Sequence, residues 1–136
     1  MSAWVRMLEC HSRMLAALRD ELLPECTMAR FDLLATLDRT DGQTLAQLSR
    51  ALLVTAGNLT GLVDRAARDG LVVKRSDAHD RRVSRVYLTR KGRQLVQQLV
   101  PRHARAVQRT LAPLSAQEQS DLRRILGKLR EGLQAQ

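Results

Sequence analysis

Aromatic residues are nearly missing from this chain of 136 residues, which holds one Trp, one Tyr and one Phe. Proteins that read single-stranded DNA or RNA stack bases on rings, so that class is disfavoured, whereas duplex DNA needs no rings. Cysteine is scarce too. Cys10 and Cys26 form neither a CxxC pair nor a disulfide framework, which fits a reducing, cytoplasmic setting. No apolar run approaches the ~18 residues of a spanning helix. The first residues meet Arg6 and Glu9 too early to hold the apolar core of a signal peptide. Enzyme signatures are also lacking: no Gly-rich phosphate loop, no GxSxG, no paired acid and base beside an oxyanion donor. The metal candidates Cys10, His11, Glu25, Cys26 and His103 show neither CxxC nor the i, i+4 His spacing of a tight site. No metal and no cofactor are therefore expected. Negative charge is the last shortage. Against 14 Asp and Glu stand 23 Lys and Arg, a net charge of +9, which favours a polyanionic partner.

What is present is a packed-core composition, 44% hydrophobic, in a single domain over 1–136. Apolar positions Trp4, Met7, Leu8, Leu15, Leu18 and Leu22 recur at helical spacing up to the stop at Pro24. Thr27 reads as the N-cap of a second helix with Phe31, Leu34 and Leu37 on one face, broken at Asp41-Gly42. Thr44 with Gln47 forms a capping box opening a short helix with Leu45, Leu48 and Leu52 inward. A turn at Leu53-Val54 leads to Thr55, a further N-cap, and a helix ending at Gly70. Two short helices joined by a tight turn are the sequence shape of a helix-turn-helix.

The second of these helices turns Leu59, Leu62, Val63 and Ala66 inward. Ala56, Gly57, Asn58, Thr60, Gly61, Asp64, Arg65 and Arg68 then face outward. Inside a helix each glycine costs about 0.8–1 kcal/mol relative to alanine. Gly57 and Gly61 stand on one side, which points to a partner approaching the backbone closely, such as a sugar-phosphate or base edge.

Leu71-Val72-Val73-Lys74-Arg75 and the alternating run Val83 to Leu88 predict a hairpin. Its tip, Asp77 to Arg82, is mostly charged and suits a DNA groove. After it, Thr89 starts a long helix that Pro101 should kink or restart. A capping box at Ser115 and Glu118 opens a last helix striped with Leu122, Ile125, Leu126, Leu129 and Leu133. The fold class is thus mainly α with a small β-hairpin. A winged helix-turn-helix over 27–90 is flanked by helical regions 1–24 and 91–136. The terminal helices carry more apolar stripe than a small monomer covers, so a two-fold homodimer is expected.

Taken in order, these segments resemble the MarR (multiple antibiotic resistance regulator) family. Leu45 to Leu52 looks like its first helix-turn-helix element and Val54 to Arg65 like its recognition helix. Gly70-Leu71-Val72, then Asp77, Asp80, Arg82, Leu88, Thr89 and Gly92, looks like its wing signature, Asp-x-Arg followed by Leu-Thr-x-x-Gly. The resemblance implies a homodimer on a palindromic operator, usually as a repressor. It places Arg82 in the minor groove, Asp80 as the brace of the wing, and the recognition helix in the major groove. Members often carry Arg at the position of Gly61, so readout here shifts toward Thr55, Asn58, Thr60 and Arg65.

Candidate DNA-binding residues are therefore Thr55, Gly57, Asn58, Thr60, Gly61, Arg65, Arg68, Lys74, Arg75, Arg81, Arg82 and Arg85. Arg65, Arg68, Lys74, Arg75 and Arg85 are read as phosphate contacts. Asn58 is suited to adenine, Thr55 or Thr60 to a thymine methyl, and Arg82 to a narrow A/T-rich minor groove. The resemblance also implies a small aromatic or phenolic effector. By placement it would lie in a cleft lined by Met7, His11, Met14, Arg30, Phe31 and His103. Two alternatives stay open: a cysteine-based redox sensor using Cys10 beside His11 or Arg13, and a winged helix that binds protein instead of DNA.

Overall fold

The computed structural model describes residues 1–52 and 54–135, so the sequence-predicted turn at Leu53 lies outside the described residues while Val54 lies within. Element order is α1 (Ala3–Leu22), α2 (Met28–Arg39), β1 (Gln43–Thr44), α3 (Leu45–Leu52), α4 (Ala56–Arg68), β2 (Val72–Ser76), β3 (Ser84–Leu88), α5 (Arg90–Leu111) and α6 (Ala116–Gln134). The chain is mostly helical, with one small antiparallel sheet, as the sequence pattern predicts.

The helices begin where side-chain oxygens satisfy otherwise orphaned amides. Thr27 accepts from the Arg30 N–H, Thr55 from Asn58, Thr89 from Gly92 and Ser115 from Glu118. The box at Thr44 and Gln47 closes in both directions, at 2.9 and 3.1 Å. Gly70, at φ +76°, takes the left-handed turn after α4 that a side chain would strain.

At the centre lies α2, packed against α1, α3, α4, α5 and β3. This explains why its buried set exceeds the predicted stripe: Leu33 and Thr36 are enclosed along with Phe31, Leu34 and Leu37. Leu48, Leu59, Val63, Val72, Val86, Val96 and Leu99 complete a continuous core. Each such side chain contributes about 1.5–3 kcal/mol by leaving water.

Two features depart from the sequence reading. The sheet has three strands, ordered β1-β3-β2, because Gln43 and Thr44 pair with Val86 and Arg85. A two-residue strand has no periodicity to read. The long helix α5 also continues through Pro101 and does not restart there. The proline removes one backbone bond, but tertiary packing holds both sides of it. Leu99 and Ala106 are buried, and Arg102 binds Glu25 at 3.0 Å and the Glu21 carbonyl.

The terminal helices are covered unevenly. The end of α1 is buried through Leu18 and Leu22, whereas Trp4, Met7 and Leu8 lie exposed. No described residue of α6 is buried, and its stripe of Leu122, Ile125, Leu126, Leu129 and Leu133 faces outward. No described helix is long and apolar enough to cross a membrane.

Candidate functional site

The outward face of α4 is uncovered, because the amphipathic pattern sends Leu59, Leu62, Val63 and Ala66 into the core. Thr55, Gly57, Asn58, Thr60, Arg65 and Arg68 are exposed, and Gly61 is half-buried. The first turn of α4 carries no acidic residue, so the positive end of the helix dipole is not offset there. Thr55 is partly committed as the cap, and the Thr60 hydroxyl donates to the Ala56 carbonyl at 3.0 Å. Among the described residues Asn58 makes no side-chain hydrogen bond, and Arg65 and Arg68 make no ion pair, so these groups are available to a ligand.

The two glycines differ. A Cβ at Gly57 would meet nothing within 4 Å, which leaves open room for an approaching partner. A Cβ at Gly61 would stand 3.1 Å from Nη1 of Arg65. The close neighbour at Gly61 is thus the chain's own guanidinium, folded back along the helix. Together Ala29, Val54, Gly57, Asn58, Gly61, Leu62 and Arg65 line a shallow groove of about 330 Å³.

The wing stands beside this helix, joined to it by Lys74, whose ammonium lies 2.6 Å from Asp64. Arg75 sits over the Tyr87 ring at 5.8 Å from its centroid. At the tip, Arg81 is exposed, and the Arg82 side chain is 92% exposed. One carboxylate oxygen of Asp80 accepts from both the backbone N–H and Nε of Arg82, at 3.0 and 3.3 Å. Asp80 therefore aims Arg82 outward.

Two contacts shape the wing. Arg85, read from the sequence as a phosphate contact, is engaged within the chain. Its Nε donates to Asp77 at 2.5 Å and its Nη1 to the Gly42 carbonyl at 2.9 Å, because the strand turns it toward the β1 turn. The main brace of the hairpin is Asp77, with Asp80 serving the tip. Asp77 accepts from Arg85, His79 and Asp80, and its backbone N–H donates to Val83 at 2.8 Å. The Arg85 hydrogen bond, aided by the His79 and Asp80 amides, lowers the Asp77 pKa from 3.8 to about 2. The same contact raises Arg85. The readable signal was an aspartate opening a polar turn, where its carboxylate bonds amides two residues on.

The six residues expected to line one cleft are not brought together within the chain. Phe31 and His103 do meet: their rings stack with centroids 4.7 Å apart. They line a cavity of about 450 Å³ where α2, α3 and α5 converge, along with Asp32, Asp38, Arg39 and Leu52. Burial raises the Asp32 carboxyl, partly offset by His103 and Arg39. Arg30, one residue before Phe31 and so turned about 100° away on the helix, binds Asp69 at 2.7 Å instead. Met14 lines a second cavity of about 430 Å³ with Cys10, Arg13, Leu111, Pro113 and Leu122. Met7 and His11 lie exposed on α1. Spacing along a helix gave no warning that two cavities, on different helix faces, would divide these residues.

Cys26 is buried, and desolvation pushes its thiol up to about 11, which keeps it protonated and unreactive. Cys10 is exposed. Among the described residues no group of three or more His, Cys, Asp and Glu side chains is placed to hold a metal ion.

Residues 27–83, the helix-turn-helix and most of the wing, match the family model described as MarR family. The HTH-type transcriptional regulator YkoM of Bacillus subtilis is 34% identical over 98 residues, covering 72% of this chain and 64% of the relative. The chain thus spans just under two thirds of that protein's length. The fold is shared with AbsC, a MarR family transcriptional regulator from Streptomyces coelicolor, at a TM-score of 0.90 and 25% identity, over 98% of this chain and 93% of that one. It is shared also with BpsR of Bordetella bronchiseptica, whose DNA binding is regulated by 6-hydroxynicotinic acid. The TM-score is 0.83 at 25% identity, over 91% of this chain and 95% of that one.

Proposed function

Because the chain belongs to the MarR family, we propose that it is a homodimeric, sequence-specific regulator of transcription that represses from a palindromic operator. Helix α4 enters the major groove and the wing the adjacent minor groove. The observation that carries this reading is the pairing of an uncovered, glycine-opened face on α4 with an arginine tip that Asp80 holds outward. Asn58 reads a base edge, Arg65 and Arg68 hold phosphates, and Arg82 reads the narrow minor groove. Lys74 and Arg75 stay close enough to the same face to add to the field, while Arg85 acts only through the wing. The net charge of +9 supplies the long-range attraction.

The exposed stripe on α6 and the bare start of α1 support the dimer. Two reading heads on one duplex multiply affinity without new contacts. The cavity floored by Phe31 and His103 supports a small aromatic effector, as does the regulation of BpsR by 6-hydroxynicotinic acid. Such an effector shifts DNA affinity only as far as it binds the two states differently.

Fluorescence anisotropy tests the proposal, using a labelled duplex from this gene's own upstream region beside a scrambled one, at two salt concentrations. Upstream-specific binding that weakens steeply with salt is expected. Equal, weak binding to both duplexes, together with no enrichment of any duplex from a randomised pool, would turn the winged domain toward a protein partner.

A further inference from the structure

The wing hangs from the turn at Asp41 and Gly42 as well as from its own hairpin. Strand β1 reaches only Gln43 and Thr44, opposite Val86 and Arg85. Beyond that point β3 has no ladder partner on this side, and the Leu88 amide would be orphaned. Asp41 supplies the missing acceptor: its Oδ1 takes the Leu88 N–H at 2.9 Å and the Gly42 N–H at 3.1 Å. The same turn carries the Gly42 carbonyl that accepts from Arg85. Gly42 itself lies under the Tyr87 ring, whose Cε1 would be 2.7 Å from any Cβ at that position. Three grips on β3, at Arg85, Tyr87 and Leu88, thus fix the base of the wing to two residues.

One side chain of α5 holds that turn. Arg93 points one arm of its guanidinium at Asp41, 3.4 Å away, and the other at Asp38, 3.0 Å away. Asp38 also lines the cavity of Phe31 and His103. Past the turn, contact continues outward: Arg85 binds Asp77, Asp77 holds the amides of His79 and Asp80, and Asp80 aims Arg82. The links form an unbroken run of hydrogen bonds, strand and ion pairs from the cavity wall to the wing tip.

We propose that Arg93 is a positioning residue for the wing, setting the place of Arg82 from α5 through Asp41. A planar fork that grips two carboxylates holds them in one geometry, which a single ammonium does not. Asp38 belongs to both the fork and the cavity wall, so an occupant that draws Asp38 away loosens the hold on Asp41 and moves the wing. This rests on the DNA-binding reading above.

A double-mutant cycle on the full chain tests it, with a duplex that the wild-type protein selects from a randomised pool. Distant, independent substitutions act additively, so coupling between Arg93 and Arg82 reports positioning. Arg82→Ala should weaken wild-type binding about tenfold, but about twofold or less once Arg93→Ala is present. Arg65→Ala, on α4, should cost the same factor in both backgrounds. Arg93→Lys should recover only part of the coupling. If Arg93→Ala fails to fold, Asp41→Asn replaces it: the amide oxygen still serves Leu88, while the ion pair that ties Arg93 to the turn is gone and only the one to Asp38 remains. An equal cost of Arg82→Ala in both backgrounds overturns the proposal. A wild-type protein that selects no duplex overturns the DNA-binding reading instead. Amide exchange at Leu88 then decides the brace by itself: acceleration in Arg93→Ala supports it and an unchanged rate refutes it.

Discussion

Asp77 and Arg85 close the wing from opposite ends of its tip, with Nε 2.5 Å from the carboxylate and the Asp77 side chain only 14% exposed. The contact turns an arginine that looked free for DNA into a structural strut. It also makes the wing's integrity dependent on one ionised carboxylate.

Acid should therefore open the wing late. The folded pKa of Asp77 lies near 2, below its ordinary 3.8. A depressed carboxylate contributes stability that is complete above the ordinary value and is lost as pH falls through the folded one. As pH falls from about 4 through about 2 the amides of His79 and Asp80 should lose protection relative to unprotected amides at the same pH, and Asp77→Asn should show reduced protection already at neutral pH. Amide exchange followed by NMR checks both. Unaltered His79 and Asp80 exchange in Asp77→Asn would remove Asp77 as the brace.

Gly57→Ala should separate stability from binding. The position is open to 4 Å and lies in the first turn of α4. Alanine there should raise stability by about 0.5–1 kcal/mol. The new methyl stands on the face offered to DNA, so affinity should fall. Thermal unfolding and anisotropy together decide it; tighter or equal DNA binding would mean that no partner approaches at Gly57. At Gly61 the displaced neighbour is the flexible end of Arg65, so alanine there should also raise stability, by up to about 1 kcal/mol, while moving the arginine.

Gly92→Ala should do the reverse of Gly57→Ala and damage the fold. Its Cβ would fall 2.0 Å from the Leu71 carbonyl oxygen, a backbone atom that cannot swing aside. Leu71 also accepts from the Thr89 N–H at 3.0 Å, so α5 and β2 are laced together at this point. Overpacking of this kind costs about 1–3 kcal/mol or more. Urea unfolding measures the loss, and a change below about 0.5 kcal/mol would show that the two elements separate freely.

Leu129→Glu should disrupt self-association while sparing the winged lobe. Leu129 is 45% exposed, in the middle of an α6 stripe with no buried residue. Sedimentation velocity should show a shift from dimer to monomer, with the circular dichroism of the helices largely retained. A dimer that survives Leu129→Glu, and Leu126→Glu as well, would place the interface elsewhere.

Local sequence chemistry determined much of this protein. Every N-cap from Thr27 to Ser115, the stop at Gly70 and the inward face of α4 depend on residues within a turn of one another. Such short-range hydrogen bonds and the 3.6-residue period are written directly along the chain. The wing motif was legible for the same reason, since Asp80 and Arg82 are two residues apart. Tertiary structure decided which charges stay free. Arg85 and Lys74 look like Arg81 and Arg82 in the sequence, yet the strands turn the first two onto Asp77 and Asp64. Only the packing of α5 brings Arg93 to Asp38 and Asp41, more than fifty residues away in the chain. It also separates Phe31 and His103 from Met14 and Arg30, so that no one cavity collects the residues that placement along the sequence had put together. The partner of a long charged side chain is set by how helices and strands pack. Contacts that close loops of this length leave no local mark in the sequence.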